Sequence, residues 1–141
     1  MGKVTSQELI KLAAAVTKHR KLGENSAGSV GCALISAKGN IYTGVCIDTS
    51  CSMGFCAEHN AIGSMVTAGE SRIETIVAVT KDKRGNVRVL HPCGRCREFM
   101  QQIDKRNMAT KVILGKERVT KLKELLPYKN DNSKVKFKRK G

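Results

Sequence analysis

Two short cysteine segments constrain this chain more than any other feature: Cys56-Ala57-Glu58 and Cys93-Gly94-Arg95-Cys96. The second has the two-residue spacing of a metal half-site. A cysteine pair at i and i+3 near a helix start turns both sulfurs toward one point. A redox dithiol shares that spacing, but it leaves the preceding Pro92 and the Cys56 segment unexplained. A structural zinc site uses four ligands, whereas three cysteines are placed for one here. The fourth position is then open to water, as in catalytic zinc sites. A fold that uses both segments must bring the starts of two separate helices together.

The pattern along the chain supplies those helices. Thr5 and Glu8 have capping-box spacing ahead of an apolar-periodic stretch, which predicts a first helix over 6–21. A loop carrying Gly23 and Gly28 leads to a strand over 29–37, a turn at Lys38-Gly39-Asn40 and a hairpin partner over 41–47. After an irregular stretch, Cys56 opens a segment with Ala57, Ala61, Ile62, Met65 and Val66 on one helical face, and Gly69 is its stop. Strands are expected over 73–81 and 87–90, a third helix over 94–103, a strand over 111–114 and a last short helix over 119–126, ended by Pro127. This order reads as an α/β sandwich, one mixed sheet with helices on its faces. Cys56 falls at the start of the second helix, and Cys93 and Cys96 at the start of the third. A parallel arrangement of the strands leading into them would bring both helix starts to one edge of the sheet.

Length and composition bound the rest. At 141 residues one domain is expected, 1–128, followed by a basic tail over 129–141 with six Lys or Arg against one Asp. No run of about eighteen apolar residues exists, so no membrane span is expected. The N-terminal residues lack a secretory pattern, so thiols or metal ligands are expected before disulfides, and a cytoplasmic location with them. A net charge of +14 suits polyanionic contacts, and equally a solvated tail. With no Trp, two Tyr and three Phe, there is little from which to build a stacking platform for single strands.

Three thiolates on Zn²⁺ leave a net charge of −1, and two helix N-termini of about half a positive charge each offset it. The same termini favour the thiolate form of cysteine. Arg95 and Arg97 flank Cys96 and are placed to donate to its sulfur or to Cys93, or else to face solvent. Glu58, two residues after Cys56, cannot easily ligate the same ion but can reach a water on it, taking a proton and delivering it to a substrate.

These residues carry a family resemblance. Cys56-Ala57-Glu58 and Pro92-Cys93-Gly94-Arg95-Cys96-Arg97-Glu98 resemble the zinc segments of the small oligomeric cytidine deaminases. Val30-Gly31-Cys32-Ala33-Leu34, the Gly39 turn and Tyr42-Thr43-Gly44-Val45 resemble that family's first hairpin, and Leu125-Leu126-Pro127 its C-terminal end. The resemblance implies the cytidine deaminase fold and a three-layer α/β sandwich. It implies zinc on Cys56, Cys93 and Cys96, and metal-activated water attacking C4 of a cytosine nucleoside. Glu58 then protonates N3 and the leaving ammonia. It also implies a homotetramer whose sites borrow residues across subunits, and a place in pyrimidine salvage.

The likeness is incomplete around the sugar. The family's ribose-holding Asn and Glu align with Cys46 and Asp48. A family Phe aligns with Gly28, which would leave room, and the Arg after the catalytic Glu aligns with His59. The Phe near the C-terminal end aligns with Asn130, with Tyr128 nearby. Ala57 lies between ligand and acid. Cys46, Asp48, Ala57, Gly28 and Tyr128 are therefore the candidate substrate contacts. His59 is either a helix surface residue or a thiolate partner in place of Arg. The blasticidin S deaminases keep a similar Pro-Cys-Gly-Arg-Cys-Arg run with a changed ribose grip, so a modified cytosine nucleoside stands beside cytidine as substrate. A nucleic-acid-editing deaminase and a non-catalytic zinc or redox module are the competing readings. The first is motivated by the charge and disfavoured by the few aromatics; the second is opposed by Glu58 and the open ligand position. Beside Pro92, His91 reads as packed or exposed rather than as a fourth ligand. Cys32 reads as buried strand filler, and Cys51 lies in the loop before the site.

Overall fold

The computed structural model describes residues 3–130. Helix α1 (Ser6–Val16) is followed by strands β1 (Arg20–Leu22), β2 (Asn25–Ser36) and β3 (Ile41–Asp48), then α2 (Ala57–Thr67). Strands β4 (Ile73–Lys81) and β5 (Val87–Leu90) precede α3 (Gly94–Ile103). A 3₁₀ turn (Lys105–Ala109), β6 (Lys111–Gly115), β7 (Arg118–Lys121) and a one-turn α4 (Leu122–Leu125) complete the chain. No helix of the described residues is long and apolar enough to cross a membrane. The expected tail lies outside the described residues from 131 onward.

The seven strands form one mixed sheet. β2 pairs antiparallel with β3 along one edge, and with β1 and then β4 along the other. β4 in turn pairs antiparallel with β5 and parallel with β6, which pairs with β7. Alternate strand residues face opposite sides. Cys32, Leu34, Ile76, Val112 and Leu114 meet α2 and α3, whereas Ala33, Val77, Val79 and Ile113 meet Leu9 and Ala13 of α1. The result is three layers, with α1 on one face and the two cysteine-bearing helices together on the other. Fully burying side chains such as Ile62, Met65 and Met100 contributes roughly 1.5–3 kcal/mol each.

Three element expectations are corrected. The first helix ends at Val16 rather than 21. Thr17 turns its hydroxyl back onto Ala13 O at 2.8 Å and leaves helical geometry, and Arg20–Leu22 gain strand partners in β2 across the Gly23 turn. The expected helix over 119–126 is β7 followed by one turn, because β-branched Val119 and Thr120 pair with Ile113 and Val112. The strands entering α2 and α3 are not parallel to each other. β3 runs with β4, while β5 runs against it and ends level with Ala78, in the middle of the sheet.

Two local devices bring the helix starts together in spite of that. The chain after β3 doubles back, with Ile47 and Phe55 exchanging both main-chain hydrogen bonds at 3.0 Å, so Cys56 returns beside the strand it left. Cys51 and Ser52 make this reversal in left-handed backbone, at φ 60° and 56°. Gly44 then lets α2 lie directly on β3: a Cβ there would sit 2.4 Å from Ala61 N. Asn60 fixes the contact by donating from Nδ2 to Val45 O at 3.1 Å.

Candidate active site

Cys56 and Cys93 are the N-cap residues of α2 and α3, and neither side chain caps its helix. Their sulfurs are free to turn toward each other, 3.7 Å apart, and Cys93 Sγ lies 3.4 Å from Cys96 Sγ. Three sulfurs on one tetrahedral zinc, with Zn–S bonds of about 2.3 Å, stand about 3.8 Å apart. Those two separations are close to that spacing, and the Cys56 and Cys96 sulfurs lie within 4.8 Å of each other. Glu58, buried at 6% exposure, places Oε2 3.4 Å from Cys96 Sγ. His59 brings Nδ1 within 3.4 Å of the same sulfur and stacks flat on Phe99, ring centres 4.3 Å apart. Cys56, Cys96 and His59 thus also form a compact donor group.

A cavity of about 460 Å³ opens onto this cluster. Cys56, Ala57, Glu58 and Cys93 line it, and so do Cys46 and Asp48 from β3. His59 lies on a different depression, behind the cluster. Of two arrangements that share Cys56 and Cys96, the one completed by Cys93 faces the cavity.

The three thiols differ in their electrostatic setting. Burial, and next the Glu58 carboxylate, push the Cys96 thiol far above its ordinary range. Burial raises Cys56 as well. At Cys93 burial acts upward too, but hydrogen bonds from the Cys96 main chain and from the Cys96 and Cys56 thiols outweigh it, and its pKa is lowered. His59 is held below its usual value, first by burial and then by Arg95. A divalent ion among the sulfurs would offset the thiolate charge that burial disfavours.

Several residues expected at the site are placed differently. Arg97 touches no sulfur; it donates from Nε to Pro92 O at 2.8 Å and from Nη1 to Leu125 O at 3.2 Å, tying the Cys93 loop to the C-terminal turn. Arg95 lines the cavity. Gly28 is outside the lining. Its φ is +86° and a Cβ there would strike Lys18 O at 2.0 Å, so its small size serves the main chain and does not enlarge the pocket. Tyr128 is 96% exposed and away from the cavity in this chain. Asn130 is tied to α3: its N–H bonds Glu98 at 3.2 Å and its carbonyl accepts from Gln101 at 3.1 Å, which carries ordered contacts past the expected boundary at 128. Cys46 does line the cavity but is only 6% exposed. Sequence reasoning missed Ser29, Phe55 and Leu90 as lining residues. Phe55 was signalled only by its place before Cys56, and Ser29 by nothing at all. His91 is exposed on the cavity rim. Cys32 is fully buried beneath the site, and Cys51 is exposed on the reversal loop.

A mixed sheet that gathers three thiols and a buried glutamate at two helix starts defines a zinc-dependent deaminase. The profile described as "Cytidine and deoxycytidylate deaminase zinc-binding region" matches residues 3–112, and the chain belongs to that family. It is 32% identical over 131 residues to a blasticidin-S deaminase of Bacillus cereus, covering 89% of this chain and 94% of the relative. The crystal structure of cytidine deaminase from Mycobacterium leprae superposes with a TM-score of 0.70 at 26% identity, covering 89% of this chain and 99% of that one. Cytidine deaminase from Burkholderia pseudomallei gives 0.71 at 25% identity, with 89% and 99% coverage.

Proposed function

We propose that this chain hydrolytically deaminates a free cytosine nucleoside, cytidine or deoxycytidine, with a modified nucleoside such as blasticidin S as the alternative substrate. The observation that carries the reading is the Glu58 carboxylate, buried on the wall of the cavity that opens onto Cys56 and Cys93. Cys56, Cys93 and Cys96 would hold zinc, and the ion would supply the Lewis acidity that makes water nucleophilic near neutral pH. Glu58 accepts the water's first proton and passes it to N3 of the ring, then takes the second from the hydroxyl added at C4 and hands it to the exocyclic nitrogen. A C4–O bond forms, the C4–N bond breaks, and ammonia leaves with the uracil product. His59 donates to or accepts from the Cys96 sulfur from behind, and Arg95 supplies positive charge at the cavity rim. The similarity to a blasticidin-S deaminase over nearly the whole chain, with Cys46 and Asp48 at the sugar positions, supports the alternative substrate.

Residues 1–128 form the catalytic domain in this reading, Asn130 adds its bonds to α3, and the remainder is a basic appendage. The assembly is a homotetramer, supported by exposed apolar groups at Met53, Phe55, Val66 and Tyr128. The setting is cytoplasmic pyrimidine salvage. Deamination is followed as ammonia release from cytidine, deoxycytidine, free cytosine, blasticidin S and cytosine-containing oligonucleotides. Glu58→Gln is expected to keep zinc and fold while losing at least about three orders of magnitude in kcat. A Gln variant retaining a tenth of the rate would remove Glu58 from the chemistry, and activity confined to oligonucleotides would replace the nucleoside reading with nucleic-acid editing.

A further inference from the structure

Two buried polar side chains away from the cysteine cluster hold a basic depression in shape. Asn107 and Thr110, both buried, lie at the end of the 3₁₀ turn. Ile73 N–H donates to Asn107 Oδ1 at 2.8 Å, Asn107 Nδ2 donates to Ser71 O at 2.9 Å, and Thr110 Oγ1 donates to Ile73 O at 2.7 Å. From the other side Ala37 N–H donates to Arg72 O at 2.9 Å. Satisfied buried hydrogen bonds of this kind make the main chain around them rigid. Arg72, the 3₁₀ turn and Lys111 are thereby set around one depression of about 320 Å³ at the start of β4. It shares no lining residue with the cysteine cavity, which includes the end of β3.

The protein does not answer the positive charge gathered there. Arg72, Arg106 and Lys111 line the depression against one carboxylate, Glu74. Asp104 accepts from Arg106 Nε at 3.0 Å and from Nη2 at 2.7 Å, which orients that guanidinium and makes the only ion pair among the described residues. The Arg106 side chain is still 65% exposed. Lys111 also stands directly opposite Lys121 in the β6–β7 pair, and like charges so placed are destabilising.

We infer that this depression binds a phosphate group of a compact small molecule. Guanidinium forks and an ammonium match phosphate oxygens, the forks in bidentate fashion. A recess on a fixed frame suits a compact ligand. A single nucleic-acid strand instead uses an extended basic groove with aromatic faces, and no aromatic residue lines this depression. No residue of the zinc cluster takes part, so the inference stands apart from the deaminase reading.

The test is calorimetric titration of the full chain with inorganic pyrophosphate at physiological ionic strength, where charges beyond about 8 Å are screened. Arg72→Gln with Lys111→Gln is expected to weaken binding at least about tenfold, the loss of one charge-assisted hydrogen bond. Lys83→Gln with Arg84→Gln removes the same charge in the turn after β4 and is expected to change binding by less than about twofold. Glu74→Gln should tighten it about two- to fivefold. Should the first double variant melt lower than wild type, Lys111→Gln alone, which also relieves the repulsion with Lys121, should keep the melting point and weaken binding about threefold. Equal weakening by the two double variants would show only the general attraction of a chain of net charge +14 and would overturn the inference. So would the absence of pyrophosphate binding, or a single-stranded oligonucleotide that binds through Arg72 and Lys111 where pyrophosphate does not.

Discussion

Replacing Gly44 by alanine tests whether close packing of α2 on β3 sets the position of the catalytic groups. A Cβ at Gly44 would stand 2.4 Å from Ala61 N and 2.8 Å from both the carbonyl carbon and Cβ of Asn60. Ordinary contacts are about 3.5–4.0 Å, so the helix must retreat by roughly 1 Å. Two of these atoms are backbone, so no rotamer change relieves the clash. Overpacking of this kind costs about 1–3 kcal/mol of stability. The larger effect is on catalysis. α2 carries Glu58 and begins at Cys56, and a misplacement of about 1 Å costs on the order of a hundredfold in rate. Gly63→Ala is the control on the same helix, because nothing lies within 4 Å of a Cβ there. It is expected to stabilise by about 0.4–1 kcal/mol and keep full activity. The assay is kcat for cytidine together with thermal melting and zinc content of both variants. Gly44→Ala with an unchanged melting point and a rate within about threefold of wild type would refute the argument.

Purified protein is expected to carry one zinc per chain, and Cys93→Ser or Cys96→Ser should release it and lower the melting temperature; elemental analysis and calorimetry check both. Glu70 is held down to about 2 from 4.5 by hydrogen bonds from Ser36, Tyr42 and Asn40. A depressed carboxylate stabilises the fold above its unfolded pKa, and that contribution disappears as pH falls through the folded value. The melting point of wild type should therefore drop more steeply between pH 4.5 and 2 than that of Glu70→Gln, by calorimetry across that range. Truncation after Asn130 should leave activity and the number of chains per particle by light scattering unchanged, while truncation after Tyr128 also removes the Glu98 and Gln101 links and should melt lower.

The clustering of Cys56, Glu58, Cys93 and Cys96 was legible because its signals are local. Cys56, Glu58, Cys93 and Cys96 lie at helix starts that apolar spacing, Pro92 and Gly69 make visible, and strands 73–81 and 87–90 follow from β-branched runs between turn residues. What was not legible depends on partners distant in sequence. The residues 18–21 have ordinary helical propensity, but β2 offers them strand pairing. Val119 and Thr120 pair with β6 for the same reason. Arg97 beside Cys96 reads as a thiolate partner until Leu125 O, brought in by the C-terminal turn, takes its guanidinium. Gly28 reads as a vacancy until its φ and the proximity of Lys18 show a backbone requirement.

The charge balance at the site follows from that placement. In the proposed site, three thiolates, Glu58 and a divalent ion would together carry a net charge of −2. Arg97 is committed to main-chain carbonyls and is not part of the balance. Among the described residues, Arg95 is the one Lys or Arg lining the cavity, although the chain carries a net +14. The remaining compensation comes from the backbone. Cys56 and Cys93 each sit at the N-terminus of a helix of ten or more residues, where uncapped N–H groups present about half a positive charge. The Cys96 N–H already bonds Cys93, a contact that acts to lower that thiol's pKa. With zinc on the three cysteines, as proposed above, two helix starts and one arginine would offset the excess. The doubling back at Phe55 and the early end of β5 serve the chemistry for this reason: they deliver helix termini, and not only sulfur atoms, to the metal.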